Sequence, residues 1–326
     1  MLKTQDALRR SSTCRWLVQR LVRALIQCLI ASVVLFVLIQ ALPGDAATAL
    51  EGRNGPEAVE RARQEMGLDR PVLERYFDWL GALVLRGDLG NSFATGKPVA
   101  ETIGGSLLAT LTVAVIVFVL LLTITLPIGL VTGANAKRRQ SRIISGVAVA
   151  IVAVPEFVVA IAFLAVLCSW LGWLPVLSVP GAGNTVWQNP ICLVMPTLIL
   201  WIICSAALLR RVQALIGAHA DAAYVREAEL AGIPRSRVLF THLFPTMAFG
   251  ICQILAQTVP YLLGGTVVVE TVTSFPGLGS TLVTAIGARE SALVMAIGML
   301  MMVSTALAFA VADLLGRRQE RVVAVL

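Results

Sequence analysis

Six long apolar runs dominate this chain, at about 24–42, 106–133, 143–170, 190–209, 247–269 and 291–315. Crossing the hydrocarbon core of a bilayer takes roughly 20 predominantly apolar helical residues. A helix suits that environment because it satisfies its own backbone N–H and C=O groups. Composition points the same way. The 326 residues are 57% hydrophobic and only 14% charged, with a mean hydropathy of +0.84, whereas a soluble domain is about a quarter charged. The expected fold class is an all-α integral membrane protein with six transmembrane helices.

The first run has a rival reading as a secretory signal, because Ala47-Thr48-Ala49 mimics a cleavage site. It exceeds the usual apolar stretch of about 7–15 residues in such signals, so an uncleaved helix is the preferred reading. Lysines and arginines then set the orientation. They crowd residues 1–23, 134–142 (Lys137, Arg138, Arg139, Arg142), 210–246 (Arg210, Arg211, Arg226, Arg235, Arg237) and 317–321. Basic residues accumulate in cytoplasmic loops, which places both termini in the cytoplasm. Trp170, Trp173 and Trp187 cluster near the opposite interface, where amphipathic rings collect. The expected organisation is a cytoplasmic N-terminus and first helix over 1–42, an extracytoplasmic loop over 43–105, a transmembrane domain over 106–315, and a cytoplasmic tail over 316–326. The outer loop carries two short amphipathic patches, around Glu57–Met66 and Pro71–Val84. The net charge of +7 is spread over loop ends rather than one face, so it argues for topology and against nucleic acid.

Chemistry-bearing residues are few. The six cysteines show no CxxC pattern, and most sit in apolar runs where a thiol acts as a small hydrophobe. Cys168 and Cys192 flank one short uncharged loop, and whether they pair is open. Two histidines, His219 and His242, are too few for a histidine-built metal site, and no metal site is expected. No GxxxxGK[ST] phosphate loop, GxSxG or HExxH occurs, so the chain shows no means of binding ATP and no catalytic cluster. Within the apolar runs Glu156 is the clearest ionisable residue, just after the helix-breaking Pro155. Two roles stand open for it: lining a polar path in contact with a solute, or facing water between subunits.

The one polar helix in the transmembrane region runs from Asp221 to Ala231, with Asp221 expected as its N-cap and Gly232-Ile233-Pro234 as its stop. A short helix ending in a glycine turn fits a groove on a partner, with small alanines allowing close approach. The bland alternative is a solvated connector.

From Leu208-Leu209-Arg210-Arg211 through Pro234 this segment resembles the cytoplasmic loop of ABC-importer permeases of the dipeptide/oligopeptide/nickel branch. The shared core is Tyr-Val-Arg-x-Ala-x-x-x-Gly, here Tyr224, Val225, Arg226, Ala228 and Gly232, continued by Arg237-Val238-Leu239 and His242. Further matches run along most of the chain. They comprise Leu42-Pro43-Gly44-Asp45, Gly67-Leu68-Asp69-Arg70-Pro71, Gly87-Asp88-Leu89-Gly90-Asn91-Ser92, Gly96-Lys97-Pro98-Val99 and Ala109-Thr110-Leu111. Last come Gly265 to Val272 and Phe275-Pro276-Gly277-Leu278-Gly279. The chain departs from the family pattern at Ala46, Glu229, Pro245 and Gly250, and lacks the family's Asp-Pro-Arg near the C-terminus.

The resemblance implies a MetI-like permease core that pairs with a second, homologous permease, two cytoplasmic ATPase subunits and an extracytoplasmic substrate-binding protein in a bacterial inner membrane. ATP and Mg would be used by those ATPases, with no cofactor on this chain. Tyr224, Val225, Arg226, Glu227, Ala228, Gly232 and Pro234 would form the ATPase-coupling segment. Glu156, Glu270, Pro276, Gly277 and Gly279 are candidates for the translocation path or gate. The two glycines of that turn can take positive φ, and Glu270 is expected to sit at the outer mouth or in a structural salt bridge. The implied cargo is peptide, with nickel or a metal chelate as the alternative. An ATP-independent channel or secondary carrier is the competing class, and a membrane-embedded enzyme would need a catalytic cluster that is not visible.

Overall fold

A computed structural model describes residues 2–41, 60–61, 63–64, 67–93, 95–181 and 184–323. The Leu42-Pro43-Gly44-Asp45 motif and the Ala47-Thr48-Ala49 site lie outside the described residues. Helices account for the regular structure: α1 (Leu2–Ala41), α2 (Val72–Arg86), α3 (Val99–Leu120), α4 (Leu126–Ala134), α5 (Arg139–Ala153), α6 (Glu156–Phe163), α7 (Ile191–His219), α8 (Ala223–Leu230), α9 (Arg235–Val238), α10 (Phe244–Thr273), α11 (Leu278–Gly287) and α12 (Ser291–Val323). Short π-helical turns join α3 to α4 and α9 to α10, and a third extends α6 to Trp170. Among the described residues, five helical spans are long and apolar enough to cross a membrane, and α5 with α6 makes a sixth if counted as one broken span. The chain is therefore an all-α membrane protein.

The third span departs from expectation. Instead of one helix over 143–170, α5 and α6 meet at a bend of 104°. Val154 is extended, with φ −91° and ψ 134°, and Pro155 follows with φ −56° and ψ 140°. A proline pushes the residue before it out of the helical region, and two consecutive non-helical residues turn the chain rather than merely kink it. The loops are also shorter than their charges suggest. α7 continues through Arg210 and Arg211 to His219, and α12 carries on through the basic tail to Val323. The second amphipathic patch of the sequence is the helix α2, begun after Pro71 and closed by Gly87 in the left-handed conformation at φ 65°.

The chain divides into two compact units, 1–103 with 284–310 and 104–283 with 311–326. In the first, Tyr76 of α2 is the anchor. Its hydroxyl shares a buried 2.8 Å hydrogen bond with Ser32 of α1, and its ring meets Phe36 edge-on at 5.3 Å. Met295 is buried in the same cluster, with Leu35, Trp79 and Leu80 packed against it. Gly90 and Lys97 supply the turn that closes on α3: Val99 N donates to Gly90 O at 2.9 Å and Ser92 N to Lys97 O at 2.9 Å. Ser92 Oγ donates to the buried Glu290 at 3.0 Å.

The second unit is built around α7, whose Met195, Ile199, Leu200, Ile203, Cys204, Leu208, Val212 and Ile216 are buried. α4 approaches it through Gly129 and Gly133. A Cβ on Gly129 would lie 3.0 Å from Val212, and one on Gly133 would lie 3.1 Å from the Gln213 backbone. Lipid chains give apolar helices no hydrophobic reason to associate, so close backbone approach between small residues has to supply the attraction. Gln213 adds a polar tie, donating to Thr132 Oγ1 at 2.7 Å and accepting from Ser145 Oγ at 2.9 Å. Cys168 and Cys192 are both buried and free, so no disulfide joins them. Trp170, Trp173 and Trp187 are all exposed.

Candidate functional site

The polar helix of the sequence is α8, and it starts later than expected. Its N-cap is Ala222, in extended backbone with no side-chain cap. Asp221 stands one residue too early to reach the first free N–H groups and pairs instead with Lys137 Nζ at 3.2 Å. The Lys137 hydrogen bond and charge hold the Asp221 carboxyl below its ordinary range. The other end follows the sequence. Gly232 adopts φ 80°, its N–H donates to Glu229 O at 3.0 Å and Ile233 N donates to Ala228 O at 3.1 Å. A Cβ at Gly232 would meet nothing within 4 Å, so its requirement is purely the left-handed backbone.

α8 is mounted on the bundle by its underside. Val225, Val238 and Leu243 are buried, and Ala228 and Ile233 pack against the same core. Arg235 clamps the mount. One guanidinium nitrogen donates to the Ala134 carbonyl at the end of α4 at 2.8 Å, and the other pairs with Glu229 at 3.0 Å. Arg226, Glu227, Gly232 and Pro234 face outward. So do three large apolar groups: Leu230 is 87% exposed, Phe240 68% and Tyr224 38%. Partial burial pushes the Tyr224 hydroxyl above its ordinary value.

The second candidate cluster is the turn after α10. Neither glycine there takes positive φ; the left-handed residue is Ser274, at φ 55°. Gly277 and Gly279 are needed for space. A Cβ on Gly277 would overlap the Glu270 carboxylate, and one on Gly279 would strike the Val267 backbone and Glu270. Glu270 is 1% exposed, so it does not sit at an open mouth, and no cation pairs with it among the described ion pairs. Its Oε1 accepts from Thr110 Oγ1 at 2.6 Å, and its Oε2 accepts from Gly279 N at 2.7 Å and Ser280 N at 3.3 Å. Thr110 in turn accepts from Leu278 N at 2.7 Å. These N–H groups are the unpaired first donors of α11, where a carboxylate is electrostatically favoured. Glu270 thus ties α3, α10 and the start of α11 together, while Pro276 stays exposed. Thr110 had appeared in the sequence only as part of a tripeptide match. Its role depends on a contact 160 residues distant in the chain, which no local pattern signals.

The third cluster is the break between α5 and α6. Ile151, Val152, Ala153, Val154, Pro155, Glu156, Ile203 and Tyr261 line a cavity of about 300 Å³. Glu156, half-buried, opens α6. Its Oε2 lies near Gly265 of α10, 3.6 Å from where a Cβ would stand. Tyr261 was not singled out from sequence, since a lone tyrosine in an apolar helix carries no pattern. The structure thus places the predicted residues in three separate groups: the α8 segment, the Glu270 turn and the Glu156 cavity.

A helical membrane protein with a broken span, an open-sided cavity at that break and an exposed polar helix fits the class of polytopic permeases. Comparison with known proteins makes the class specific. The profile of the family described as binding-protein-dependent transport system inner membrane component matches residues 125–321, and the profile of its N-terminal region matches residues 13–127. A putative peptide transport system permease protein of Brucella abortus (strain 2308) is 34% identical over 281 residues, 84% of this chain and 87% of that protein. A counterpart in Brucella suis biovar 1 (strain 1330) has the same identity and coverage. The glutathione transport system permease protein of Escherichia coli (strain K12) is 28% identical over 279 residues, again 84% and 87% of the two chains. The chain belongs to the binding-protein-dependent transport system inner membrane component family: it is an ABC-importer permease subunit of the inner membrane, and not the ATPase.

Proposed function

We propose that this chain and a second, homologous permease together form the translocation path of a peptide importer. Peptides arrive from an extracytoplasmic substrate-binding protein, and two cytoplasmic ATPases supply the energy. In this reading both termini and α8 face the cytoplasm, in keeping with the basic residues of 134–142 and 210–246. The observation that carries it is the mounting of α8. A helix held from beneath by Val225, Val238 and the Arg235 clamp, which presents Leu230 and Tyr224 to solvent beside the exposed Phe240 of the following turn, is built to receive a partner. Tyr224, Val225, Arg226, Glu227, Ala228, Gly232 and Pro234 form the docking segment, the outward residues meeting the ATPase and the inward ones holding it rigid. ATP-driven closure of the ATPases moves this segment and biases the bundle between outward- and inward-facing states, which takes a differential contact energy of a few kcal/mol. The Glu156 cavity lies on the path, and the Glu270 turn fixes the gate-side loop with Pro276, Gly277 and Gly279.

Peptide is preferred to nickel or a metal chelate because the relatives above are named for peptide and glutathione transport. The test is Gly232→Val in proteoliposomes holding the assembled importer. A β-branched residue is poorly accommodated at φ 80°, so the variant should insert normally and hydrolyse ATP while peptide uptake per ATP falls severalfold. Wild-type uptake in that variant would remove the docking role. Uptake by this chain without any ATPase would instead favour a channel or secondary carrier.

A further inference from the structure

Glu156 and Glu270 are the two carboxylates between residues 104 and 283 that lie within membrane-spanning helices, and they differ in how they are satisfied. Both Glu270 oxygens are consumed by Thr110, Gly279 and Ser280. Glu156 faces a cavity of about 300 Å³. An ionisable side chain in a membrane span is costly and tends to mark a substrate or ion pathway. Its position as the first residue of α6 places the negative charge where the helix dipole favours it. The lining is as much polar as apolar: Ile151, Val152, Val154 and Ile203 supply apolar side chains, and Tyr261 lies beside Glu156.

From this geometry we propose that Glu156, with Tyr261 beside it, binds a primary ammonium group of the cargo while the apolar side chains hold the adjoining carbon skeleton. An ionised carboxylate is an acceptor-only group and repels anions, and among donors it binds a cationic one most strongly. Divalent metal ions ask for several oxygen, nitrogen or sulfur ligands, and no cluster of three or more His, Cys, Asp or Glu that could hold one occurs among the described residues. A single carboxylate flanked by a tyrosine suits an organic ammonium, through a charge-assisted hydrogen bond and ring-face attraction. The volume is at the lower end of the roughly 300–1,000 Å³ typical of small-molecule pockets, so the site takes one end of a cargo molecule rather than its whole length. This inference rests on the peptide reading above, in which the ammonium belongs either to the peptide N-terminus or to a lysine side chain.

The experiment uses the assembled importer in proteoliposomes, with a synthetic library of di- to pentapeptides in three arms: free N-terminus without lysine, N-acetylated without lysine, and N-acetylated with lysine. Lumenal peptides are identified by mass. Wild type is expected to favour free-ammonium peptides, and Glu156→Gln to raise their KM about tenfold, the worth of one charge-assisted hydrogen bond. The lysine-free acetylated arm should be unaffected, and so reports that the variant is folded. Glu156→Asp should recover part of the preference, and Tyr261→Phe should weaken it. The third arm separates the sources: a Glu156→Gln effect there assigns lysine as well as the N-terminus, and none assigns the N-terminus alone. Equal loss in all arms, or no loss in any, overturns the ammonium site while leaving the peptide reading intact. Failure of wild type to accumulate any member of the library overturns both.

Discussion

Glycine serves two different physical ends in this chain, and the difference sets what substitution does. At Gly232 the space around a Cβ is empty and only the backbone conformation at φ 80° excludes other residues. At Gly277 the backbone is ordinary, but a methyl group would overlap the Glu270 carboxylate. Gly277→Ala must displace a carboxylate that three donors hold, so it should destabilise the protein by about 1–3 kcal/mol, as overpacking does. Gly232→Ala should cost about 1 kcal/mol and act locally. Thermal unfolding of the two purified variants in the same detergent measures this, and the expectation is a larger drop in Tm for Gly277→Ala. A glycine pair after a proline reads in sequence as a fixed turn whose glycines can take positive φ. The space it leaves for a buried carboxylate on the preceding helix becomes visible only once α10 and the turn are folded against each other.

Helices were more legible than the contacts between them. Apolar length located the spans because a bilayer selects on that property almost alone. The same property is blind to direction, which is why residues 143–170 read as one helix although Val154 and Pro155 bend it by 104°. Charge misled in the opposite sense: Arg210 and Arg211 looked like the edge of a loop, yet α7 continues through them, because a helix that leaves the membrane need not end there. The Gly129-x-x-x-Gly133 spacing, by contrast, is a local sequence signal for close helix approach. It lets α4 approach α7 until side-chain and backbone atoms of Gln213 and Ile216 stand about where a Cβ would touch. Gly133→Leu should drive these helices apart and strip Gln213 of its bond to Thr132. We expect a loss of about 1–3 kcal/mol, seen as a lower temperature of inactivation in proteoliposomes. Gly146→Leu, on a face where a Cβ meets nothing within 4 Å, serves as the control and should be nearly silent.

For the whole molecule, the docking role proposed for α8 raises the question of how a force applied there would reach the spans. α8 is not joined to α4 by sequence, yet two polar links connect the segments around them: Arg235, which also pairs with Glu229 of α8, to the Ala134 carbonyl, and Lys137 just after α4 to Asp221 just before α8. The second is an exposed ion pair, of a kind worth about 0–1 kcal/mol and weakened by salt. The first is a charge-assisted bond to a backbone carbonyl, and it ends on a helix that the two glycines lock against α7. A push on α8 therefore enters the bundle through Arg235 more firmly than through Lys137. Arg235→Ala removes that link and the Glu229 ion pair while leaving the packing of Val225 and Val238 in place, so the segment should stay folded and accessible while its movement is transmitted less completely. In the assembled importer we expect ATP hydrolysis to persist and peptide uptake per ATP to fall by up to about tenfold, the scale of one charge-assisted hydrogen bond. Lys137→Ala should change the same ratio by less than about twofold, with the difference shrinking further at high salt. Parallel measurement of phosphate release and lumenal peptide in the two variants distinguishes this route from one in which both links carry equal shares, since equal losses would mean that the coupling passes through α8 packing and not through the arginine.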